Sequence, residues 1–187
     1  MRGKVIILSA PSGAGKTTVS KYLLKSFSKL EFSISATTRV PRQNETNAKD
    51  YYYLTKEDFL AKIDRNEFVE WEEVYKDIFY GTLQSEVERI WAKNRIVVFD
   101  VDAQGGMNLK RIFGENALSI FLLTPSIHEL EKRLRQRGTE TEQTIAFRLN
   151  KAFQEIDHAV QFDRIVLNER LDFTLEDVHD IVEEFIG

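Results

Sequence analysis

The stretch Val5-Ile6-Ile7-Leu8-Ser9-Ala10-Pro11-Ser12-Gly13-Ala14-Gly15-Lys16-Thr17 constrains the fold of this chain more than any other. A short apolar run passes into a small-residue turn, and Lys-Thr then opens a helical pattern. Each part suits a polyphosphate. Glycines let backbone N–H groups wrap the anion, Lys16 adds a point charge, and Thr17 offers a hydroxyl to Mg²⁺. The helix beginning near Lys16 turns its positive end to the same place. Ala10 stands where such a loop usually has its first glycine, and an alanine is compatible with that position if φ stays negative.

A strand, a loop and a helix in this order predict an α/β protein, and the rest of the chain agrees. Arg95–Asp100, Ala117–Leu123 and Arg164–Leu167 are short, nearly continuous apolar runs, which predicts strands covered on both faces. Helical patterns separate them over Thr17–Lys29, Gln84–Lys93, Ala103–Phe113, Ser126–Arg137, Glu142–Gln161 and Leu171–Phe185. Ser126 with Glu129 and Thr55 with Asp58 read as helix-capping pairs. The sum is a mainly parallel sheet flanked by helices. From Glu31 to Tyr80 the alternation breaks into strand, loop, strand, short helix and strand, rich in aromatics, which reads as an inserted, mostly β subdomain. A second break falls around Gly138–Thr141.

Composition narrows the function classes. The net charge of −4 over 187 residues argues against a general nucleic-acid binder, so any phosphate surface is a local basic patch. No cysteine is present, which removes disulfides, thiolate metal sites and a cysteine nucleophile. No apolar run approaches membrane-spanning length, and Met-Arg-Gly-Lys leads straight into a strand without signal-peptide architecture, so a cytoplasmic protein is expected.

Two further clusters carry chemistry. Val97-Val98-Phe99 runs into Asp100 and Asp102, which alternation places on one side of the strand, as expected for acids that support a Mg²⁺ shell beside a phosphate loop. Arg39 and Arg42 lie in a loop ahead of Tyr51, while Arg133, Arg135, Arg137 and Arg148 flank the break at Gly138. Arg133 and Arg137 share a helical face, and Arg148 belongs to a helix whose apolar stripe is Ile145, Leu149, Ala152, Ile156 and Ala159. For any single arginine a solvated surface face is the blander reading. Two clusters in an acidic chain suit a clamp on a second phosphate group and a closing contact over a transferring phosphoryl. Glu70, beside Trp71, is an acceptor that could take the paired N1–H and N2–H₂ donors of guanine, or an ordinary member of the acidic run Glu70–Glu73.

These segments resemble the guanylate kinases over nearly the whole chain. The resemblance rests on Ala-Pro-Ser-Gly-Ala-Gly-Lys-Thr (10–17), Ser-Ala-Thr-Thr-Arg-Val-Pro-Arg (35–42), Lys-Asp-Tyr (49–51), Asn-Glu-Phe-Val-Glu-Trp (66–71), Tyr-Gly-Thr (80–82), Phe-Asp-Val-Asp-Ala-Gln-Gly (99–105) and Arg-Gly-Thr-Glu-Thr (137–141). It implies one domain with a P-loop NTPase core (1–34, 83–125 and 156–187), a GMP-binding subdomain (35–82) and a helical lid (126–155). The implied activity is Mg²⁺-dependent phosphoryl transfer from ATP to GMP, with dGMP as a further acceptor and no nucleic-acid or membrane partner.

By the same resemblance, Ala10, Pro11, Ser12, Gly13, Ala14, Gly15, Lys16, Thr17 and Thr18 would hold ATP, with Asn168 near the adenine. Arg39, Arg42, Tyr51 and Tyr80 would hold the GMP phosphate, and Ser35, Glu70, Thr82 and Asp102 the guanine. Thr17, with Asp100 directly or through water, would serve the Mg²⁺. Lys16, Arg39, Asp100, Arg133, Arg137 and Arg148 would act on the transferring phosphoryl. The chain departs from the family pattern at Ala10, at Ala36 in place of a common serine, and by one extra residue between Trp71 and Tyr80, where Asp77-Ile78-Phe79 replaces Gly-Asn-Tyr. Two other readings remain open at this stage: a kinase of the same architecture acting on a phosphorylated sugar, and a non-catalytic module that binds phosphorylated peptides.

Overall fold

The computed structural model describes residues 3–136, 138 and 141–187. Its centre is a five-stranded parallel sheet in the order β2-β7-β1-β8-β9, formed by β1 (Val5–Ser9), β2 (Leu30–Phe32), β7 (Ile96–Val101), β8 (Ala117–Leu123) and β9 (Arg164–Leu167). All five residues of β1 are buried, because helices cover both faces of the sheet. Alternation sends Ile6 and Leu8 into one apolar cluster, with Val19 and Leu23 of α1 (Lys16–Ser26) and Val178 and Val182 of α7 (Leu171–Ile186). Val5 and Ile7 enter the other, with Val87 and Ile90 of α3 (Gln84–Trp91) and Leu109 and Phe113 of α4 (Ala103–Phe113).

The register positions the chemistry. Ser9 pairs with Val101, so the loop after β1 and the acids at the end of β7 emerge side by side at the carboxyl edge of the sheet. That edge is where open α/β sheets bind ligands.

The inserted region is a second sheet of order β4-β3-β6-β5, from β3 (Ala36–Thr37), β4 (Tyr52–Tyr53), β5 (Phe68–Tyr75) and β6 (Ile78–Leu83), with α2 (Lys56–Asp64) against it. Phe59, Phe68 and Phe79 form its own small core. Thr55 caps α2 by accepting from the Asp58 amide at 3.0 Å, and Ser126 accepts from the Glu129 amide at 3.1 Å ahead of α5 (Ile127–Gln136). The extra residue is absorbed in the β5–β6 hairpin. Pairing runs Glu73↔Phe79 and then Tyr75↔Ile78, so Val74 bulges while Trp71↔Gly81 and Glu72↔Tyr80 keep their register. The turn takes Asp77 to φ +65°, where its amide donates to the Glu73 carboxylate at 2.8 Å.

One strand differs from expectation. The run Arg164–Leu167 is not covered on both faces: β9 lies at the sheet edge, and only Val166 of its four residues is buried. An apolar tetrapeptide carries no signal that separates a central strand from an edge strand.

Candidate active site

A cleft of about 820 Å³ opens along the carboxyl edge of the main sheet and runs beneath the second sheet. Its walls come from the loop after β1, the end of β7, the β5–β6 hairpin, the Arg42–Tyr51 loop and α6 (Glu142–Asp157).

At one end the loop supplies backbone. Gly13 and Gly15 stand at φ +101° and +100°, the left-handed region that favours glycine, whereas Ala10 has no such requirement. Gly15 caps α1, so the first amides of that helix open toward the cleft. Lys16 Nζ lies 2.6 Å from Asp100 Oδ1 and donates to the Val101 carbonyl at 2.8 Å, which holds the ammonium over the loop. Thr17 and Thr18 are exposed on the cleft wall, while Pro11, which is buried, and Ser12, which is half-buried, line it along the loop. Arg148 of α6 donates to the Ser12 hydroxyl and so joins that helix to the loop.

Asn168 is placed differently from the expectation of an adenine contact. It is 4% exposed and is not among the residues that line the cleft. Its amide donates to the Ala14 carbonyl at 2.7 Å, and its carbonyl oxygen accepts from Thr174 at 3.2 Å. A Cβ on residue 15 would run into this amide nitrogen, so Gly15 is required by contact as well as by φ. Arg133 also stays behind the loop, paired with Glu129 at 3.0 Å and donating to the Asn168 main-chain carbonyl at 3.0 Å. Arg137 lies outside the described residues.

The other end is built from side chains. Glu70 is 8% exposed, and its Oε1 accepts from the Thr82 hydroxyl at 2.8 Å. Burial pushes its pKa up to about 7, and the neighbouring Asp102 and Glu72 add to the effect against the Thr82 bond. Thr82 is fully buried behind Glu70, while Ser35 and Asp102 reach the cleft. Asp102 caps α4 by accepting from the Gly105 amide at 3.0 Å.

Arg42, Tyr51 and Tyr80 line the wall between the two ends. Arg39 is drawn back into a network of its own. It makes a two-pronged contact with Glu45 at 2.8 and 2.9 Å, donates to the Tyr80 hydroxyl at 3.2 Å, and lies 5.2 Å from the Tyr51 ring centroid. The Arg39 hydrogen bonds hold the Glu45 pKa down to about 2, and burial beside that anion pushes the Tyr53 hydroxyl up to about 12.

Most of the residues expected at a donor loop, both strand-end acids, and Ser35, Arg42, Tyr51, Glu70 and Tyr80 of the expected acceptor pocket therefore border one cavity. A family model described as guanylate kinase matches residues 2–185. The chain belongs to the guanylate kinase family. It is 48% identical over 187 residues to a guanylate kinase of Bacteroides thetaiotaomicron, covering 100% of this chain and 92% of that relative. It is 49% identical over 185 residues to one of Porphyromonas gingivalis, covering 98% of each. A crystal structure of guanylate kinase from Anaplasma phagocytophilum superposes with a TM-score of 0.77 at 30% identity, over 97% of this chain and 85% of that one. The architecture is accordingly a guanylate kinase fold with a P-loop core, and the chain is an enzyme of the guanylate kinase type.

Sequence reasoning passed over several residues of this guanylate kinase cleft. Thr144, Arg148, Lys151 and Glu155 recur at helical spacing on α6, and all four face the cleft. The pattern was present in the sequence as a polar stripe beside the apolar one. Only Arg148 stood out, because arginine alone suggests phosphate. Glu45 and Tyr53, the partners of Arg39, gave no signal, since a contact network is invisible to spacing.

Proposed function

We propose that the cleft seats ATP and GMP tail to tail and passes the γ-phosphoryl of ATP to the GMP phosphate, with dGMP as a further acceptor. The observation that carries this reading is the single cavity bordered both by the loop Ala10–Thr18 and by Arg42, Tyr51, Glu70 and Tyr80. In this reading the loop amides and Lys16 hold the β- and γ-phosphates, and Asp100 keeps the ammonium in place before the nucleotide arrives. Asn168 and Arg133 act from behind by supporting the loop.

Arg42, Tyr51 and Tyr80 take the GMP phosphate, with Arg39 fixed beside them by Glu45. Glu70 accepts from N1–H and N2–H₂ of guanine, assisted by Asp102, Ser35 and the Thr82 hydroxyl. An adenine in the same place would leave that buried carboxylate with the Thr82 hydroxyl but without the paired donors of the base, which favours guanine by up to about 10⁴-fold.

The attacking oxygen belongs to a phosphate already ionised near neutral pH, so the site supplies no general base. It forms a bond to the γ-phosphorus as the bond to the bridging oxygen breaks, and ADP leaves. The protein's contribution is alignment and charge neutralisation as α6 excludes water. The donor set fits Mg²⁺: Thr17 and Asp100 are hard oxygen ligands on the cleft wall. A Mg²⁺ ion held by these two residues would fill the rest of its shell with phosphate oxygens and water. When bound, Mg²⁺ neutralises charge on the β- and γ-phosphates. In this reading the GMP-binding subdomain is 35–82, which holds most of the second sheet, and the lid is 126–155, which holds α5 and most of α6. No helix among the described residues is long and apolar enough to cross a membrane, and we place the reaction in the cytoplasm.

The test is ADP release in a coupled assay across GMP, dGMP, AMP and ribose phosphates with ATP and Mg²⁺. Turnover with GMP and dGMP but not with AMP or the sugar phosphates is expected. Equal turnover of AMP would overturn the acceptor assignment, and turnover of a sugar phosphate alone would favour the phosphorylated-sugar reading.

A further inference from the structure

Lys151 has no part in the scheme above, yet it reaches its centre. It lies one turn beyond Arg148 on α6, and its ammonium donates to Asp102 Oδ2 at 3.2 Å. Glu155 stands 3.6 Å from the same ammonium, and the Tyr75 ring of β5 has its centroid 5.8 Å away. Burial works against the charge on Lys151, but the carboxylates of Asp102 and Glu155 prevail and hold its pKa above the ordinary lysine value. Four carboxylates, Glu70, Glu72, Asp102 and Glu155, crowd this end of the cleft.

The Asp102 carboxylate is thus fixed at both oxygens, by the Gly105 amide on Oδ1 and by Lys151 on Oδ2. The first contact is local to α4. The second comes from the lid helix, which also touches the donor loop through Arg148 and Ser12. We propose that Lys151 is a positioning residue of the acceptor pocket, holding the Asp102 carboxylate in the orientation in which Asp102 and Glu70 together receive guanine. This inference rests on the reading of Asp102 as part of the guanine site. A carboxylate held by two donors loses little freedom when the base arrives, and affinity is gained by that preorganisation. Removing the ammonium frees Asp102 and leaves it among like charges.

The test is a double-mutant cycle of Lys151→Met and Asp102→Asn, read as KM for each nucleotide and as kcat. Lys151→Met is expected to raise KM for GMP about tenfold, to move KM for ATP less than about twofold, and to leave kcat within about threefold. Lys151→Arg restores most of the GMP affinity, because a guanidinium satisfies the same carboxylate. In the Asp102→Asn background, Lys151→Met adds less than about twofold. Lys151→Gln keeps a polar stem beside Tyr75 and shows the same GMP deficit should the methionine variant fold poorly. An unchanged KM for GMP in both Lys151→Met and Lys151→Gln, or effects that multiply in full in the double mutant, overturns the inference. If Asp102→Asn itself leaves KM for GMP unchanged, the assignment of Asp102 to guanine fails and the role of Lys151 fails with it. If Asp102→Asn raises KM and the Lys151 variants do not, only the inference about Lys151 fails.

Discussion

At the donor end of the cleft the binding surface is main chain, presented by a loop whose two left-handed glycines and buried strand leave it little freedom. At the proposed acceptor end the surface is side chain: a buried glutamate and an aspartate steadied by a helix amide and a lysine, with an arginine tied to a glutamate set back from the wall. A loop of amides recognises any polyphosphate in the same way, so it tolerates little change in backbone and much in its surroundings. A pocket of carboxylates recognises one base, and it depends on each partner being held in place by elements far apart in sequence. Lys16 and Asp100 mark the boundary, a charge from the loop held by a charge at the end of β7, the strand beside β1 in the same sheet.

The contrast is tested most severely at Lys16. Lys16→Ala is expected to lower kcat about a thousandfold while GMP binding, measured by calorimetry, stays within a few-fold of wild type. Near-normal turnover would remove the division of labour between the two ends.

Glu70→Gln probes the acceptor end and is expected to raise KM for GMP about a hundredfold with little change for ATP. The same residue makes a pH prediction. Guanine requires the carboxylate ionised, so in the native protein GMP affinity falls as pH drops through about 7, with proton release on binding below it. Stability runs the other way. The folded pKa is raised above the unfolded value, so the contribution of Glu70 to stability is intact below about 4.5 and is lost as pH rises through about 7. Glu70→Gln should therefore unfold at a higher temperature than the native protein at pH 8, by up to about 3 kcal/mol of stability, and show little gain at pH 4.5. No difference between the two pH values in thermal unfolding would mean that Glu70 is ionised without strain.

The smallest expected effect lies behind the donor loop. Asn168→Ala removes the amide that supports Ala14 and leaves a small void, so KM for ATP should rise about threefold to tenfold and that for GMP should not. Equal effects on both nucleotides would show that the loop and the acceptor pocket are not independent.

The donor end was legible because its chemistry is consecutive: the twelve residues from Val5 to Lys16 carry the strand, the turn, the glycines and the lysine. The alternation of strands and helices was legible for the same reason, each element being a local pattern. The edge position of β9 was not, since the sequence records burial of an apolar residue and not the number of faces covered. Nor was the placement of Asn168 behind the loop, where a polar side chain is enclosed by partners more than a hundred positions away in one case. Nor was the burial of Glu155 beside Lys151, because the spacing of a helix does not say what packs against its polar side.

By itself the sequence determined that this chain would form an α/β core around a phosphate-binding loop, because glycine conformations and apolar periodicities act within a few residues of one another. Its segments from 35 to 42, 66 to 71 and 99 to 105 carried the family likeness. Tertiary structure alone decided which charges face each other across the cleft, that Arg39 is held by Glu45 and that Asp102 is held by Lys151. Electrostatic energy depends on distance in space and on exclusion of water, and neither quantity is written in the spacing of residues along a chain.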